Sequence, residues 1–340
     1  MKVIIQIPCY NEEKTLGITL DALPRTLEGV DSVEWLVIDD GSTDGTVDLA
    51  IRKGVHCIVR NRRNRGLAHT FLHGLNACLQ RGADIIVNTD ADNQYCADDI
   101  QKLIHPILTG EADMVIGARP IDDIRHWSLQ KKILQKIGSK VVRLASGTEI
   151  ADAPSGFRAI SREAAVRLNV FDNYTYTLET IIQAGRKGIP VMSVPIRTND
   201  ELRPSRLMKS IPEYVRKSLF TVVRIFMTYR PFRFFAMPGL LVFGAGSLLL
   251  LRFLLLYWLG DGAGHIQSVV LSALLLGTGL ALMVVGLIAD LIGVNRQLLE
   301  DIRSRVRELE YTLTRLEKST RPQSEADNTE GEKCPDETIR

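Results

Sequence analysis

Residues 1 to about 200 alternate between short apolar runs and longer segments with helical periodicity. The apolar runs are rich in β-branched residues and lie at 3–7, 35–39, 57–59, 85–88 and 114–116. The helical segments between them lie at 12–23, 46–53, 66–81 and 98–108. This alternation predicts an α/β fold, with a mostly parallel, Rossmann-like sheet flanked by helices. In such sheets ligands bind beyond the carboxyl ends of the strands, so the residues after each strand are the candidate site.

Two long apolar segments follow. Residues 234–251 and 265–289 contain no Asp, Glu, Lys or Arg over 18 and 25 positions, and about 20 apolar residues let a helix cross a bilayer. We therefore expect a hairpin of two transmembrane helices at 236–293, which excludes a purely water-soluble protein. The connector 260–267 carries no Lys or Arg, whereas both outer flanks are basic. The positive-inside rule then predicts a multi-pass protein of the cell (inner) membrane, with the globular domain and both termini cytoplasmic.

The segments that flank the hairpin are amphipathic. Residues 209–235 interleave six basic residues with large apolar ones, which predicts interfacial helices on an anionic leaflet, although a solvated basic face is the alternative. In 294–318 apolar residues recur at alternating spacings of three and four, which predicts a cytoplasmic coiled-coil helix and a homo-oligomer. A helix packed on its own globular domain is the alternative. The tail, 319–340, is polar and net acidic and is expected to be disordered.

Composition narrows the function classes. Lys and Arg number 42 against 40 Asp and Glu, so the net charge of +2 excludes a strongly basic nucleic-acid-binding protein. The apolar share of 45% excludes a disordered chain. Neither GxGxxG nor GxxxxGK[ST] occurs, which argues against dinucleotide or P-loop chemistry.

Paired acids follow the second predicted strand. Asp39 and Asp40 precede a turn formed by Gly41 and Ser42, and a helical segment begins a few residues later. A carboxylate at a strand end can accept hydrogen bonds from a base N–H or a ribose hydroxyl. The alternative is a structural turn with Asp44 capping the next helix.

A second acidic motif, Asp90-Ala91-Asp92-Asn93-Gln94, follows the predicted strand 85–88. Residues i and i+2 of an extended chain point to the same face, so we expect the carboxylates of Asp90 and Asp92 to lie together, with Gln94 next on that side. Two like charges at that separation favour a divalent cation, and a ligand set made only of oxygens suits Mg²⁺ or Mn²⁺. Such a cation holds a diphosphate and neutralises its charge as it leaves.

Five motifs together resemble a known family. They occur in the order Pro8-Cys9-Tyr10-Asn11-Glu12, Asp39-Asp40-Gly41-Ser42-Thr43-Asp44, Asn64-Arg65-Gly66, Asp90-Ala91-Asp92-Asn93-Gln94 and Ser155-Gly156-Phe157-Arg158. The chain resembles the family 2 inverting glycosyltransferases, which implies a GT-A fold and a catalytic domain at 1–208. The loop Arg203-Pro204-Ser205-Arg206 and the two spans resemble the polyprenyl-phosphate glycosyltransferases, the group that includes dolichol-phosphate mannose synthase and bacterial polyprenyl-phosphate glucosyltransferases.

The resemblance implies roles for individual residues. The nucleotide-sugar would be bound by Pro8, Tyr10, Asn11, Glu12, Asp39, Asp40, Ser42, Asp90 and Glu179. The cation, Mg²⁺ or Mn²⁺, would be held by Asp90, Asp92 and Gln94. The acceptor phosphate would be met by Arg119, Lys132, Arg203, Ser205 and Arg206, and the catalytic residues would be Asp90, Asp92, Arg119 and Arg203. For Glu179, a half-exposed helical acid with no ligand is the alternative.

The expected activity is inverting transfer of one sugar from a nucleotide-diphosphate sugar to a polyprenyl phosphate on the cytoplasmic membrane face. A UDP-sugar is favoured as donor by the resemblance, and GDP-mannose is possible. One alternative is a processive membrane polysaccharide synthase; those enzymes usually carry Q-x-x-R-W and more spans, and none of Trp35, Trp127 and Trp258 fits that motif. A second alternative is a non-catalytic nucleotide-sugar-binding membrane scaffold.

Overall fold

The computed structural model describes residues 1–121, 129–169, 176–200, 229–259 and 266–320, together with Phe220, Val223, Arg224 and Met227. The chain divides into two compact units, Met1–Val215 with Ile302–Arg340 and Arg216–Asp301. The predicted acceptor loop with Arg203, Ser205 and Arg206 lies outside the described residues. Most of the interfacial segment 209–235 and residues 321–340 of the tail lie outside them as well.

Strands and helices alternate through the first unit, as the pattern predicts. In chain order they are β1 (Lys2–Cys9), α1 (Leu16–Ala22), β2 (Ser32–Asp39), α2 (Thr46–Arg52), β3 (Cys57–Arg60), α3 (Leu67–Gln80), β4 (Ile85–Asn88), a 3-10 turn (Ala97–Asp99), α4 (Ile100–Leu108), β5 (Met114–Ala118), α5 (Leu129–Ser146), β6 (Arg158–Ser161), α6 (Arg162–Arg167), α7 (Thr177–Arg186) and β7 (Val191–Pro195). The predicted strands and helices up to β5 are confirmed, with ends that shift by a few residues.

The seven strands form one sheet in the order β3-β2-β1-β4-β6-β5-β7. Neighbouring strands are parallel except for β6, which runs antiparallel to β4 and β5. The order reverses between β1 and β4, and Gln6 of β1 lies opposite Asn88 of β4. Cys9 at the end of β1 lies opposite Asp39 at the end of β2. The loops after β1, β2 and β4 therefore meet at one edge, at the point where a crevice opens in sheets of this kind.

The sheet is buried on both faces at its centre. Val3, Ile4, Ile5 and Ile7 of β1 are all fully buried, which explains why the strand is a continuous apolar run. Each such side chain contributes roughly 1.5–3 kcal/mol by leaving water. This rigid layer fixes the strand ends from which the polar loops project.

Two long apolar helices follow, α8 (Pro231–Trp258) and α9 (Ile266–Thr320). Both contain a stretch long and apolar enough to cross a membrane, which in α9 lies within Ile266–Leu309, and most of their large apolar side chains are exposed rather than packed in a core. The helices approach closely at Gly279, where a Cβ atom would lie 2.6 Å from the backbone nitrogen of Phe243. Small residues allow this backbone proximity between spanning helices. The second predicted span and the predicted cytoplasmic helix 294–318 form one continuous helix, α9.

Candidate active site

The loops after β1 and β2 are joined through Asn11. Its backbone N–H donates to Oγ of Ser42 at 2.9 Å, and its side-chain oxygen accepts from the backbone N–H of Thr43 at 2.8 Å. Asn11 has a φ of 54°, a left-handed conformation that Asn tolerates better than most residues. Beside this junction Pro8 is buried at the end of β1 and Tyr10 is exposed. Glu12 is buried and accepts from the hydroxyl of Thr15 at 2.8 Å.

Asp39 and Asp40 differ in what they bind. Oδ1 of the fully buried Asp39 accepts from the N–H of Ser42 at 3.0 Å. Its Oδ2 lies 3.2 Å from Nε of Arg60 but accepts no aligned hydrogen bond among the described residues. A buried carboxylate oxygen with spare acceptor capacity suits a ligand N–H or hydroxyl.

Asp40, by contrast, is bound on both oxygens by its own chain. It accepts from the side chain of Asn61 and from the backbone N–H groups of Arg65 and Gly66, all at 2.9 Å. It therefore holds the loop that leads into α3, and its predicted ligand contact stays a prediction. Asp44 accepts from the N–H of Thr46 at 3.1 Å; it therefore satisfies an N–H group at the start of α2 from the position before Gly45, which is the N-cap residue.

The acidic motif after β4 turns instead of running extended. The chain forms a turn at Ala91 and Asp92, Asn93 has a φ of 56°, and Oδ1 of Asp92 accepts from the N–H of Gln94 at 3.2 Å. The expectation of an extended segment with alternating faces is therefore wrong, because the side chain of Asp92 stabilises a local turn. Gln94 lies half-buried in the same loop.

The two carboxylates nevertheless interact. Burial first, and then the negative charge of Asp92, raise the pKa of Asp90 to about 7, while Arg119, a hydrogen bond from Tyr95 and Arg158 act to lower it. A site that disfavours two negative charges favours a cation between them. The described residues contain no cluster of three or more His, Cys, Asp or Glu able to hold a metal. A cation here would therefore complete its shell with substrate phosphates, an amide oxygen or water, the coordination typical of Mg²⁺.

A buried polar network forms the wall behind Asp90. The N–H of Gly156 donates to Oη of Tyr95 at 3.1 Å, and its carbonyl accepts from the side chain of Asn88 at 2.9 Å. Asn88 in turn accepts from the side chain of Gln6 at 3.0 Å. These partners are far apart in sequence, so spacing alone gives no signal for them beyond the Ser155-Gly156-Phe157-Arg158 motif.

Arg158 is fully buried and is bound by neutral oxygens. Its guanidinium donates to the carbonyls of Ala153 and Ser155 and, at the start of α7, to the carbonyl of Thr177 and the hydroxyl of Thr180, at 2.6–3.2 Å. It thus joins the loop that carries Gly156 to the helix that carries the sugar-binding candidate. That candidate, Glu179, is buried in the first turn of α7 and not half-exposed.

Arg119 at the end of β5 lies in an ion pair that the sequence did not indicate. Its Nε and Nη2 donate to the two oxygens of Asp152 at 2.6 and 3.0 Å, and both side chains are almost fully buried. Gln135 of α5 donates to the same carboxylate at 3.3 Å. Lys132 lies half-buried on α5. The phosphate contacts of Arg119 and Lys132 stay predictions.

Asn199, which follows β7, holds the acidic loop 90–95 through hydrogen bonds. Its backbone N–H donates to the carbonyl of Gln94 at 2.9 Å, and its side chain donates to the carbonyls of Asn93 and Tyr95 at 2.9 and 3.2 Å. These three bonds rigidify the loop that carries the metal-ligand candidates. The segment after β7 is thereby held beside the acidic loop.

The acidic loops lie at the switch point of a mostly parallel sheet, where α/β domains bind their ligands. Residues 4–168 match the family model described as Glycosyl transferase family 2. The chain is 30% identical over 234 residues to the polyprenol monophosphomannose synthase of Mycolicibacterium smegmatis. The aligned region covers 65% of this chain and 85% of that protein. It is 28% identical over 217 residues to the UDP-N-acetylglucosamine–dolichyl-phosphate N-acetylglucosaminyltransferase of Methanococcus voltae. That alignment covers 58% of this chain and 85% of the relative. The chain belongs to glycosyl transferase family 2, and the resemblance drawn from the five motifs is confirmed.

A solved structure shares the fold. The glucosyl-3-phosphoglycerate synthase of Mycobacterium tuberculosis, crystallised with Mn²⁺, uridine diphosphate and phosphoglyceric acid, superposes with a TM-score of 0.51 at 21% identity, covering 65% of this chain and 78% of that chain. The expected GT-A type of fold is confirmed by this likeness.

Proposed function

We propose that this protein is a metal-dependent inverting glycosyltransferase that moves one sugar from a nucleotide-diphosphate sugar to a polyprenyl phosphate at the cytoplasmic face of the membrane. The observation that carries the proposal is the Asp90/Asp92 pair at the switch point of the sheet, in a chain with two helices able to cross a bilayer. Relatives named for polyprenol and dolichyl phosphate support the acceptor class.

Asp90 and Asp92, with Gln94, would hold Mg²⁺ or Mn²⁺, and the Mn²⁺ bound by the solved neighbour supports this choice. When bound, such a cation offsets the negative charge that develops on the leaving diphosphate. The Oδ2 atom of Asp39, which keeps hydrogen-bond acceptor capacity beside Arg60, would bind the nucleoside together with the junction at Asn11 and Ser42. A UDP-sugar is the favoured donor, with GDP-mannose as the second candidate.

In the reaction an oxygen of the acceptor phosphate attacks the anomeric carbon, and the bond from that carbon to the diphosphate breaks. The electron pair leaves on the diphosphate. Because the acceptor oxygen attacks from the face opposite this leaving group, the configuration at the carbon inverts. A phosphomonoester has its second pKa near 6 and is already an anionic nucleophile at neutral pH, so no strong general base is required. Cationic side chains are required to offset repulsion between the two phosphate groups.

Those cations would come from Lys132, Arg119 and the loop that carries Arg203, Ser205 and Arg206. Arg203 follows the anchored Asn199 by four residues, which is at most about 14 Å of extended chain. That tether supports a position of the loop within reach of the acidic pair. The lack of Lys and Arg in the 260–267 connector supports a cytoplasmic active site.

The test is product analysis with the purified full-length chain. Undecaprenyl or dolichyl phosphate is incubated with UDP-glucose, UDP-N-acetylglucosamine or GDP-mannose and with Mg²⁺ or Mn²⁺, and the lipid is analysed by mass spectrometry. The expected product carries a single added sugar from one preferred donor. A polymer would identify a processive synthase, and donor binding without turnover would identify a non-catalytic scaffold; either result overturns the proposal.

A further inference from the structure

Residues 302–309 of α9 present their apolar side to solvent. A helix that packs on its own domain normally buries its apolar face and exposes its polar one. Here Arg307 is on the buried side, and its guanidinium donates to the carbonyl of Leu168 at 3.1 Å. On the other side Ile302, Val306 and Leu309 are 59%, 47% and 64% exposed. The contact with its own domain is therefore polar, and the apolar face has no cover among the described residues.

Lipid does not account for this exposed apolar face. Within residues 296–310, 8 of 15 side chains are Asp, Glu, Lys or Arg. So many charges keep this part of α9 out of the hydrocarbon core. A contiguous apolar face in water marks a surface that associates with another chain.

The sequence continues this apolar face as a heptad repeat. The a positions are Ile292, Leu299, Val306 and Leu313, and the d positions are Asn295, Ile302, Leu309 and Leu316. This seam of 25 residues is about 37 Å long at the rise of an α-helix. Apolar residues at a and d over this length are the pattern of a helix that pairs with another helix in a left-handed coiled coil.

We propose that this seam pairs with the same seam of a second copy of the chain, in parallel and in register. α9 is one helix from the membrane-spanning part to Thr320, so two copies in one membrane place their seams at the same depth and in the same direction. Asn295 then lies opposite Asn295 of the second copy. A single polar residue in a seam selects one register at some cost in stability.

The charges beside the seam fit the same arrangement. In a parallel pair a g position faces the e position of the next heptad in the other helix. Arg305 occupies g and Glu310 occupies e, so each Arg305 faces the Glu310 position of the second copy. At the preceding pair of positions Leu298 faces Arg303, so no like charges meet there.

The first test is the mass of the full-length protein in detergent, measured by light scattering. The seam variant Ile302→Glu with Leu309→Glu is compared with Gln297→Glu plus Thr314→Glu, which adds the same charge at f and b positions off the seam. We expect the wild type and the control to be oligomers and the seam variant to be a monomer. A monomeric wild type, or a seam variant that keeps the oligomer mass, overturns the proposal.

A charge exchange tests the parallel register without introducing charge into the seam. Arg305→Glu and Glu310→Arg are made on separately tagged copies and expressed alone or together. Two copies of the same variant place like charges opposite each other at positions 305 and 310. A pair made of one copy of each variant places opposite charges there at both contacts. Preferential co-purification of the mixed pair, by several-fold over either variant with itself, supports the arrangement. Equal recovery in all combinations overturns it.

Discussion

A Cβ atom added to Gly156 would lie 3.1 Å from both carboxylate oxygens of Asp90. The backbone of Gly156 cannot easily retreat, because Tyr95 holds its N–H and Asn88 holds its carbonyl. The carboxylate of Asp90 therefore lies where any side chain at position 156 would crowd it, beside a glycine backbone that is itself fixed by a buried network. The position of the metal-ligand candidate depends on this wall.

Gly156→Ala should displace the carboxylate of Asp90 by a few tenths of an ångström and reduce transfer activity by about 10- to 100-fold, since small misplacements of catalytic groups have effects of this size. The check is the rate of sugar transfer alongside thermal unfolding. Gly138→Ala is the matched control, because nothing lies within 4 Å of a Cβ there. Equal activity of the two variants would show that the wall does not position Asp90.

Binding of Mn²⁺ should depend on pH through Asp90. Burial and the charge of Asp92 raise the pKa of Asp90 to about 7, against about 3.9 in an unfolded chain. The metal-free folded state therefore binds this proton more tightly, and its stability falls as pH rises from about 4 to about 7. The cation requires the ionised form, so its affinity should rise about tenfold per pH unit below pH 7 and level off above it. Calorimetric titration checks this, and an affinity independent of pH would contradict it.

Tyr95→Phe should raise the midpoint of this pH dependence, which is the pH at which the Mn²⁺ affinity begins to level off. The hydrogen bond from Tyr95 lowers the pKa of Asp90, so its removal makes the carboxylate harder to ionise. The N–H of Gly156 also loses its acceptor, which costs about 1–3 kcal/mol when the group stays buried. The same titration in the variant measures the shift. A midpoint that stays at the wild-type pH would mean that Tyr95 supports only packing, through its stacking on Phe157.

Much of the fold follows from the apolar pattern, and its later part does not. β1 to β5 are apolar runs bounded by turns, so their pattern identifies them. β6 begins with the buried Arg158, and β7 is only half-buried, so neither gives a clear apolar signal. The predicted span and coiled-coil segment are one helix, because nothing in the sequence interrupts α9 between them.

The site was predictable where it is local in sequence. Asp39 ends β2, and Asp90 and Asp92 follow β4, so the rule that ligands bind at strand ends identifies them. The turn at Ala91 and Asp92 was missed because an Asp side chain can cap its own loop. The support from Asn199, which bonds residues about a hundred positions earlier, depends on long-range folding that no spacing encodes.

Asp152→Asn should destabilise the first unit strongly. It leaves the guanidinium of Arg119 buried without its carboxylate partner, and breaking a buried pair in this way costs about 3–5 kcal/mol. The exposed pair of Lys53 with Asp21 provides the control, where Asp21→Asn should cost less than about 1 kcal/mol. Thermal or denaturant unfolding of the full chain compares them. Equal losses would mean that the buried pair adds nothing beyond a surface contact.

The most direct measurement is transfer of a labelled sugar to polyprenyl phosphate by the purified full-length chain as Mn²⁺ is removed and restored. The wild type should lose activity on chelation and regain it on addition of Mn²⁺, while Asp92→Asn should stay inactive at every Mn²⁺ concentration. Undiminished lipid glycosylation by Asp92→Asn, or by the chelated wild type, would contradict a cation-holding role for the acidic pair.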